Sequence, residues 1–228
     1  MTRSLPLENW GFVWVTEKNQ VVDIFERLRR FFGPQGWWPG ETPFEVVVGA
    51  ILTQNTNWGN VCKAITNLKN GGMLSFEALL ALPVEDLAWQ IRPSGYYNVK
   101  ARRLKNLLLM IEEKYQGDLD LLLQDEVMTG RENLLSVQGI GPETADSILL
   151  YGGKHQVYDV DAYTHRIFSR HHLLAEESDY DSIQEYFMDR LPADSNLFNE
   201  YHALIVRLGK EFCKKSRPLC ETCPLYGL

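Results

Sequence analysis

The stretch from residue 134 to residue 161, LLSVQGIGPETADSILLYGGKHQVYDVD, constrains the fold more than any other part of the chain. Glycine is favoured just after a helix and proline in the first turn of the next, and here Gly139 and Pro142 stand close together. We therefore expect a helix that ends at Gly139, a turn through Ile140 and Gly141, and a new helix that begins at Pro142. This pattern predicts a hairpin of two helices.

Apolar residues recur at helical spacing along the rest of the chain. The segment 46–52, VVVGAIL, is the one ambiguous stretch, because its β-branched residues would also suit a buried strand. No partner strand with hairpin turn residues lies near it, so we expect a buried helix there. The sequence predicts an all-α fold. Four further helices are marked by Val22 to Phe32, Leu104 to Tyr115, Ala145 to Leu149 and Ile183 to Leu191.

The size and composition allow one large domain or two small ones, since the chain has 228 residues of which 45% are hydrophobic. No apolar run approaches the roughly 20 residues that a membrane span needs. The first ten residues, MTRSLPLENW, lack the apolar core of a signal peptide. We expect a cytoplasmic protein without a membrane partner. The 4 cysteines are too few and too unevenly spread for a disulfide scaffold.

The net charge of −7 argues against nucleic-acid binding, but the uneven distribution of charge makes this argument weaker. Basic residues concentrate in the segments 92–105 and 210–217, and acidic residues concentrate between positions 176 and 200. A protein with one basic face can hold phosphates despite a negative total. Solvated helix faces explain the same runs equally well, so the sequence leaves both interpretations open.

The hairpin and the aspartate that follows it suggest a phosphate site next to an acid. Gly139 and Gly141 lack side chains, so a ligand can approach the backbone N–H groups at the start of the next helix. An ordinary helix–helix turn has the same two glycines. Asp161 stands at the head of another helical segment, where it can cap the helix, act on a bound nucleotide, or do both.

The longer pattern L-x-x-V-x-G-I-G-P-x-T-A, followed by VDAYTHR, resembles the helix-hairpin-helix DNA glycosylases of the endonuclease III superfamily. The segments 43–56 and 213–223 share the resemblance, and RPSGYYNVKARRL is most similar to the bacterial 3-methyladenine DNA glycosylase III branch. The resemblance implies two helical domains with a DNA-binding cleft between them. Residues 41–153 would form a central bundle with the hairpin, and residues 1–40 plus 154–228 would form the second domain.

The resemblance also implies roles for the hairpin region. Gly139, Ile140, Gly141 and Thr144 would bind a DNA phosphate. Asp161 would be the catalytic acid, which stabilises the oxocarbenium charge at the sugar and activates water.

Members of the family that also cleave the strand carry a lysine in the hairpin, whose amine forms a Schiff base with the sugar. In this chain that position is Glu143. Because a carboxylate cannot form a Schiff base, we expect a monofunctional enzyme.

A base pocket and a wedge follow from the same resemblance. Trp38, Pro39 and Trp58 would line the pocket, where an alkylated purine, which carries a delocalised positive charge, stacks well on indole rings. Core packing is the alternative for the tryptophans. Gln54 and Asn55 would fill the gap that a flipped nucleotide leaves in the duplex. The polar end of a helix is the alternative for these two.

Three cysteines near the C-terminus, Cys213, Cys220 and Cys223, have the spacing C-x6-C-x2-C. The family ligates a [4Fe–4S] cluster with C-x6-C-x2-C-x5-C, and the fourth position falls one residue after Leu228. Either the sequence stops just short of that cysteine, or the cluster is absent or incompletely ligated. Zinc is a weaker alternative because it also needs a fourth ligand, and Cys62 is a poor substitute.

Together these patterns predict a monomeric base-excision enzyme that acts on damaged double-stranded DNA in the bacterial or archaeal nucleoid. We expect it to hydrolyse the bond between an alkylated purine, such as 3-methyladenine, and its sugar. An endonuclease III-like glycosylase and lyase for oxidised pyrimidines is one alternative. A helix-hairpin-helix module that binds DNA without catalysis is another.

Overall fold

The computed structural model describes residues 19–228, so the start of the chain, on which the signal-peptide prediction depends, lies outside the described residues. The described part forms helices and no strand, which confirms the all-α prediction. None of its helices is both long and apolar enough to cross a membrane. The helices are α1 Gln20–Phe32, α2 Pro43–Thr53, α3 Trp58–Asn70, α4 Phe76–Ala81, α5 Val84–Gln90, α6 Tyr97–Tyr115, α7 Leu119–Leu123, α8 Val127–Leu135, α9 Pro142–Ser147, α10 Ala162–Arg170, α11 Tyr180–Met188 and α12 Ser195–Glu211.

The ambiguous segment 46–52 is a helix, as predicted, and it forms the centre of the molecule within α2. Thr42 caps α2, since its hydroxyl accepts a hydrogen bond from the Glu45 N–H at 3.1 Å, and Pro43 occupies the first helical position. The β-branched residues are buried on all sides because α2 packs against α3, α6, α9 and the wide helical turn Ile148–Gly152. Tertiary burial thus outweighs their modest helix propensity.

Lys100 on α6 fixes where α2 ends. Its ammonium group is buried and donates to the carbonyl oxygens of Leu52 and Ser94, at 2.7 Å each. Burial, with a smaller contribution from Arg103, lowers the pKa of Lys100 to about 8. The two hydrogen bonds satisfy carbonyl groups that helix ends leave without partners. As a result, Gln54 follows α2 at a defined position beside the hairpin.

The first and last helices pack together. The Tyr201 hydroxyl on α12 donates to the Val21 carbonyl on α1 at 2.6 Å, and α10 packs on the other part of α12. The ring of Tyr163 lies against Gly209, where a side chain would collide with it. Contacts between α12 and the turn 148–152 connect this group of helices to the rest. The packing supports a division into a central bundle and a unit built from both chain ends, which stays a prediction.

Asp146 on α9 is a buried acid that connects three helices. It is fully buried and accepts hydrogen bonds from Arg131 at 2.8 and 3.2 Å, from the Tyr180 hydroxyl at 2.8 Å and from Gln184 at 2.7 Å. Each carboxylate oxygen therefore has a partner, which compensates the cost of burying the charge. This network fixes the hairpin helix against α8 and α11.

Candidate active site

The turn before α9 contains the predicted glycine geometry, but the helix before it ends earlier than expected. α8 ends at Leu135, so the prediction of a helix up to Gly139 was wrong. A separate turn follows α8, closed by a hydrogen bond of 3.0 Å from the Ile140 N–H to the Val137 carbonyl. Gly139 has φ of +100°, which glycine adopts without strain. Ile140 is buried and anchors the turn, whereas Gly141 is exposed.

The start of α9 presents free backbone donors. The first backbone hydrogen bond of the helix runs from the Ala145 N–H to the Gly141 carbonyl, at 3.0 Å. The N–H groups of Gly141, Glu143 and Thr144 have no acceptor among residues 19–228. Such donors can bind an anion. Binding of a DNA phosphate here stays a prediction, and the free N–H groups support it.

Gln54 lies against the hairpin in a network of three hydrogen bonds. Its Nε2 donates to the Gly139 carbonyl at 3.2 Å and to the Thr144 hydroxyl at 2.9 Å. Its Oε1 accepts from the Arg103 guanidinium at 2.5 Å. Asn55 is exposed beside it with φ of +53°. Gln54 is therefore bound to the hairpin in the DNA-free protein, and its role as a wedge stays a prediction.

Asp161 caps α10 and keeps one carboxylate oxygen free. Its Oδ1 accepts from the Thr164 N–H at 2.7 Å and from the Thr164 hydroxyl at 3.0 Å. Its Oδ2 accepts no hydrogen bond from the described part of the chain, and the residue is half-buried. The cap fixes the orientation of the carboxylate, and the free oxygen can face a ligand. The two functions that the sequence suggested for Asp161 are thus geometrically compatible.

A second acid, Asp159, is buried and precedes Asp161 by two residues in the chain. The Ser147 hydroxyl donates to Asp159 Oδ2 at 2.7 Å, and His202 on α12 pairs with the Asp159 carbonyl at 3.0 Å. Burial raises the pKa of Asp159 to about 6, although the charge of His202 opposes the shift. The buried Tyr151 hydroxyl lies close to Asp159, and neither it nor Asp159 Oδ1 has another hydrogen-bond partner within residues 19–228. The segment that carries Asp161 is thus held between α9 and α12.

Glu143 belongs to the same group of acids. Its pKa is raised to about 7 by the protein atoms around the carboxyl group and then by the negative charges of Asp159 and Asp161. Burial alone would lower the pKa of His202. The surrounding negative charges, first those of Asp159 and Asp161, oppose this effect, and the pKa is raised overall. Solvent still reaches the Glu143 side chain, so its interactions are screened more than those of buried Asp159. No lysine within residues 19–228 forms an ion pair with Asp161.

The predicted pocket tryptophans form a closed aromatic cluster. The ring centroids of Trp38 and Trp58 are 5.1 Å apart at an angle of 88°, and Tyr151 lies 5.1 Å from Trp38 on another side. Trp37 completes the cluster, 5.5 Å from Trp38 and 5.9 Å from Trp58. Pro39 is exposed at its edge. Because neighbouring rings are in contact, a base can enter between Trp38 and Trp58 only if one of them moves.

The basic segment 92–105 does not form one cationic face. Lys100 binds carbonyl groups inside the protein, and Lys105 binds the Leu79 and Leu80 carbonyls at 2.5 and 2.8 Å. Arg102 is exposed on α6, and Arg103 lies on the hairpin. Lys100 and Lys105 cap helix ends, so their charges belong neither to a phosphate-binding face nor to a solvated helix face. Neither of the two interpretations from the sequence therefore describes this segment.

The three C-terminal cysteines surround one cavity of about 160 Å³ between α10, α12 and the last residues. Arg170 donates to Cys213 Sγ at 3.3 Å. Among the described residues, no three ligands converge closely enough to hold a single metal ion. Cys62 lies elsewhere, exposed on α3.

Four residues of this region were not singled out from the sequence as site residues: Arg103, Tyr151, Asp159 and His202. Asp159 precedes Asp161 by two residues in DVD, which was the one available signal. His202 comes from α12, and only the folded chain brings it to Asp159. Arg103 was visible only as one member of a basic run.

The chain is similar to a family of DNA repair proteins and to several known relatives. Residues 48–193 match the family model of the HhH-GPD superfamily of base excision DNA repair proteins. A provisionally named DNA repair glycosylase of Methanocaldococcus jannaschii is 47% identical over 206 residues, which cover 90% of this chain and 93% of that protein. An endonuclease III of Sulfolobus acidocaldarius is 30% identical, over 79% of this chain and 78% of that protein.

Among solved structures, the 3-methyladenine DNA glycosylase of H. pylori bound to 1,N6-ethenoadenine is similar in fold and sequence. The TM-score is 0.73 and the identity is 30%, over 83% of this chain and 97% of that chain.

Proposed function

This chain belongs to the HhH-GPD superfamily of base excision DNA repair proteins, and we propose that it is a monofunctional DNA glycosylase that removes alkylated purines such as 3-methyladenine. The observation that carries the proposal is Glu143, which stands beside Asp161 at the hairpin position that a lyase fills with lysine. A carboxyl group at this point cannot form a Schiff base. Water is then the nucleophile, and the strand stays uncut.

The electrostatics of the site support this chemistry. Departure of an alkylated purine leaves positive charge on the sugar, and a fixed carboxylate beside it lowers the energy of that state. Asp161 Oδ2 is free for this role, while Oδ1 holds the side chain in place through Thr164. The same oxygen can orient or deprotonate the attacking water. An alkylated purine needs little help to leave, because it already carries the positive charge.

The aromatic cluster supports a cationic base as the ligand. Indole rings attract a delocalised positive charge to their faces, and Trp38 and Trp58 place two such rings together. For the base to stack on them, Trp58 at the start of α3 would turn away from Trp38. The H. pylori relative with 30% identity is a 3-methyladenine glycosylase, which agrees with this choice of substrate.

We propose that the DNA partner binds across the hairpin. The free N–H groups of Gly141, Glu143 and Thr144 would hold one phosphate, and the lesion would turn out of the duplex toward Asp161. Flipping costs a few kcal/mol of lost stacking, which a side chain that fills the gap partly offsets. Gln54 and Asn55 are the candidates for that side chain, since both lie beside the hairpin.

We also propose that Cys213, Cys220 and Cys223 provide three ligands of a [4Fe–4S] cluster. Such a cluster would crosslink the C-terminal residues to α12 and orient the basic segment 210–217. The cluster would have a structural role. The base-release step requires only the residues around Asp161.

A second candidate function is an endonuclease III-like activity on oxidised pyrimidines. The 30% identity with the S. acidocaldarius endonuclease III favours it. Glu143 argues against its lyase step. A DNA-binding module without catalysis is disfavoured by Asp161, because phosphate binding by backbone N–H groups requires no acid.

Base release from defined duplexes tests the proposal. We expect wild-type protein to free the methylated base from a 3-methyladenine duplex and to leave a thymine glycol duplex intact. Asp161→Asn should lower the rate by at least about a hundredfold, in line with the loss of a group that stabilises transition-state charge, while DNA affinity changes little. Release of thymine glycol alone would favour the second candidate, and binding without any base release would favour the module.

A further inference from the structure

Arg103 connects the hairpin to Gln54 in a way that the functions above do not use. Its guanidinium donates to Gln54 Oε1 at 2.5 Å, while Gln54 Nε2 donates to the Gly139 carbonyl and the Thr144 hydroxyl. Both N–H donors of the Gln54 amide, and its oxygen, therefore form hydrogen bonds in the DNA-free protein. A glutamine held in this way cannot enter a duplex until some of these hydrogen bonds break.

Gly139 is what allows Arg103 to lie on the turn. A side chain built on Gly139 would start within 2.7 Å of both Cδ and Nε of Arg103, well inside the contact distance of real atoms. Gly139 also has φ of +100°, so both its space and its backbone exclude other residues. The stem of Arg103 thus crosses directly over the turn that the phosphate would approach.

Most N–H donors of the Arg103 guanidinium form no hydrogen bond within residues 19–228. Arginine carries five N–H donors, and one of them forms the only side-chain hydrogen bond of Arg103 within residues 19–228. The residue is half-buried, so its remaining donors can meet a ligand at the surface. Planar arginine donors match phosphate oxygens in pairs, and these charge-assisted bonds are about twice as strong as neutral ones. A phosphate at the hairpin therefore competes with the amide of Gln54.

We propose that Arg103 is a phosphate-binding and positioning residue that couples capture of the DNA backbone to release of Gln54. In the free protein Arg103 holds Gln54 against the hairpin. When a phosphate arrives, the guanidinium turns to it and gives up Gln54, which then fills the gap left by the flipped nucleotide. The inference rests on the proposed function, because it needs a DNA phosphate at the hairpin.

The first test is the salt dependence of binding to a duplex with a stable abasic-site analogue. Arg103→Gln should weaken binding about tenfold and reduce the slope of log affinity against log salt by about one, the value for one lost phosphate contact. Arg102→Gln is the matched control, because it removes the same charge from the neighbouring, exposed position of α6. Equal slopes for the Arg103 variant and wild type would overturn the inference.

The second test measures nucleotide flipping with 2-aminopurine placed next to the lesion. Gln54→Ala should lower the fluorescence change at saturating protein, whereas Arg103→Gln, which frees Gln54 before any phosphate arrives, should not lower it, and the double variant should behave like Gln54→Ala. A loss in Arg103→Gln that adds to the loss in Gln54→Ala would show that the two residues act separately and would overturn the coupling.

These outcomes separate the inference from the proposed function. Binding and flipping are measured without any base release, so a different lesion preference leaves the test intact. If wild-type protein fails to bind the abasic duplex, the proposed function fails and the inference fails with it. Thermal unfolding of each variant, expected within a few degrees of wild type, shows that the fold survives.

Discussion

Glu143 occupies the second position of α9, beside two buried or half-buried aspartates. Its raised pKa, about 7, means that the carboxyl group is partly neutral at physiological pH. A neutral carboxyl group at the hairpin does not repel a phosphate, and it does not compete with Asp161 for a positive charge on the sugar. In the proposed function, the residue that stands in place of the lyase lysine would therefore also influence the charge of the turn that binds the phosphate.

This titration predicts a pH dependence of DNA binding. Below pH 7 Glu143 is mostly protonated and neutral, and above pH 7 it is mostly anionic, so affinity should fall as pH rises through this value. We expect a loss of roughly fourfold between pH 6 and pH 8, the order of one like-charge repulsion at close range that is screened by bulk water. Glu143→Gln should flatten the curve at its low-pH value, as measured by fluorescence anisotropy. An unchanged curve in the variant would assign the dependence to other groups.

Trp58 offers a second prediction at the scale of one residue. Its ring packs edge-on against Trp38, and in the proposed complex it would stack on the base. Trp58→Ala should slow release of 3-methyladenine by roughly tenfold or more, given that one base–aromatic stack contributes about 1–3 kcal/mol. Affinity for an abasic duplex, which lacks the base, should change by much less. Equal losses in the two measurements would remove Trp58 from the pocket.

At the scale of elements, polar contacts with neighbouring helices hold the short hairpin helix α9 in place. α9 is short, and Asp146 connects it to α8 through Arg131 and to α11 through Tyr180 and Gln184. Lys100 similarly fixes the end of α2. Buried networks of this kind fix geometry, because each unpaired member would be costly.

Asp146→Asn should therefore destabilise the protein by about 3 kcal/mol, because it leaves the Arg131 charge without its buried partner. Asp181→Asn is the control, since Asp181 contacts the same arginine at 3.4 Å but is largely exposed. Urea unfolding followed by circular dichroism gives both free energies. A change in the Asp146 variant no larger than that in the Asp181 variant would show that the network contributes little to stability.

At the scale of the whole molecule, the sequence predicted what depends on local pattern and missed what depends on tertiary contact. The helical nature of 46–52 followed from the absence of any partner strand, and Asp161 stood out as a cap. The end of α8 was misplaced because a glycine after a helix can also belong to a separate turn, as Gly139 does. Nothing local marks His202 as a neighbour of Asp159, 43 positions away in the chain.

The closed aromatic cluster and the bound Gln54 were also beyond the sequence. The family resemblance implied that Trp38, Trp58 and Gln54 serve a flipped nucleotide, but not that the free protein keeps the rings in contact and the amide on the hairpin. The proposed DNA complex therefore requires that the tryptophan rings separate and that Gln54 leaves the hairpin. The proposed chemistry is that water, and not an amine, attacks the sugar.

Borohydride trapping on a 3-methyladenine duplex tests that claim most directly, with the released base measured in the same sample. We expect stoichiometric base release, an intact strand and no covalent protein–DNA adduct for the wild type. Glu143→Lys, which restores an amine at the hairpin position, serves as the matched comparison and is expected to give a trapped adduct. A borohydride-trapped adduct formed by the wild-type protein would show that an amine of the protein, and not water, attacks the sugar.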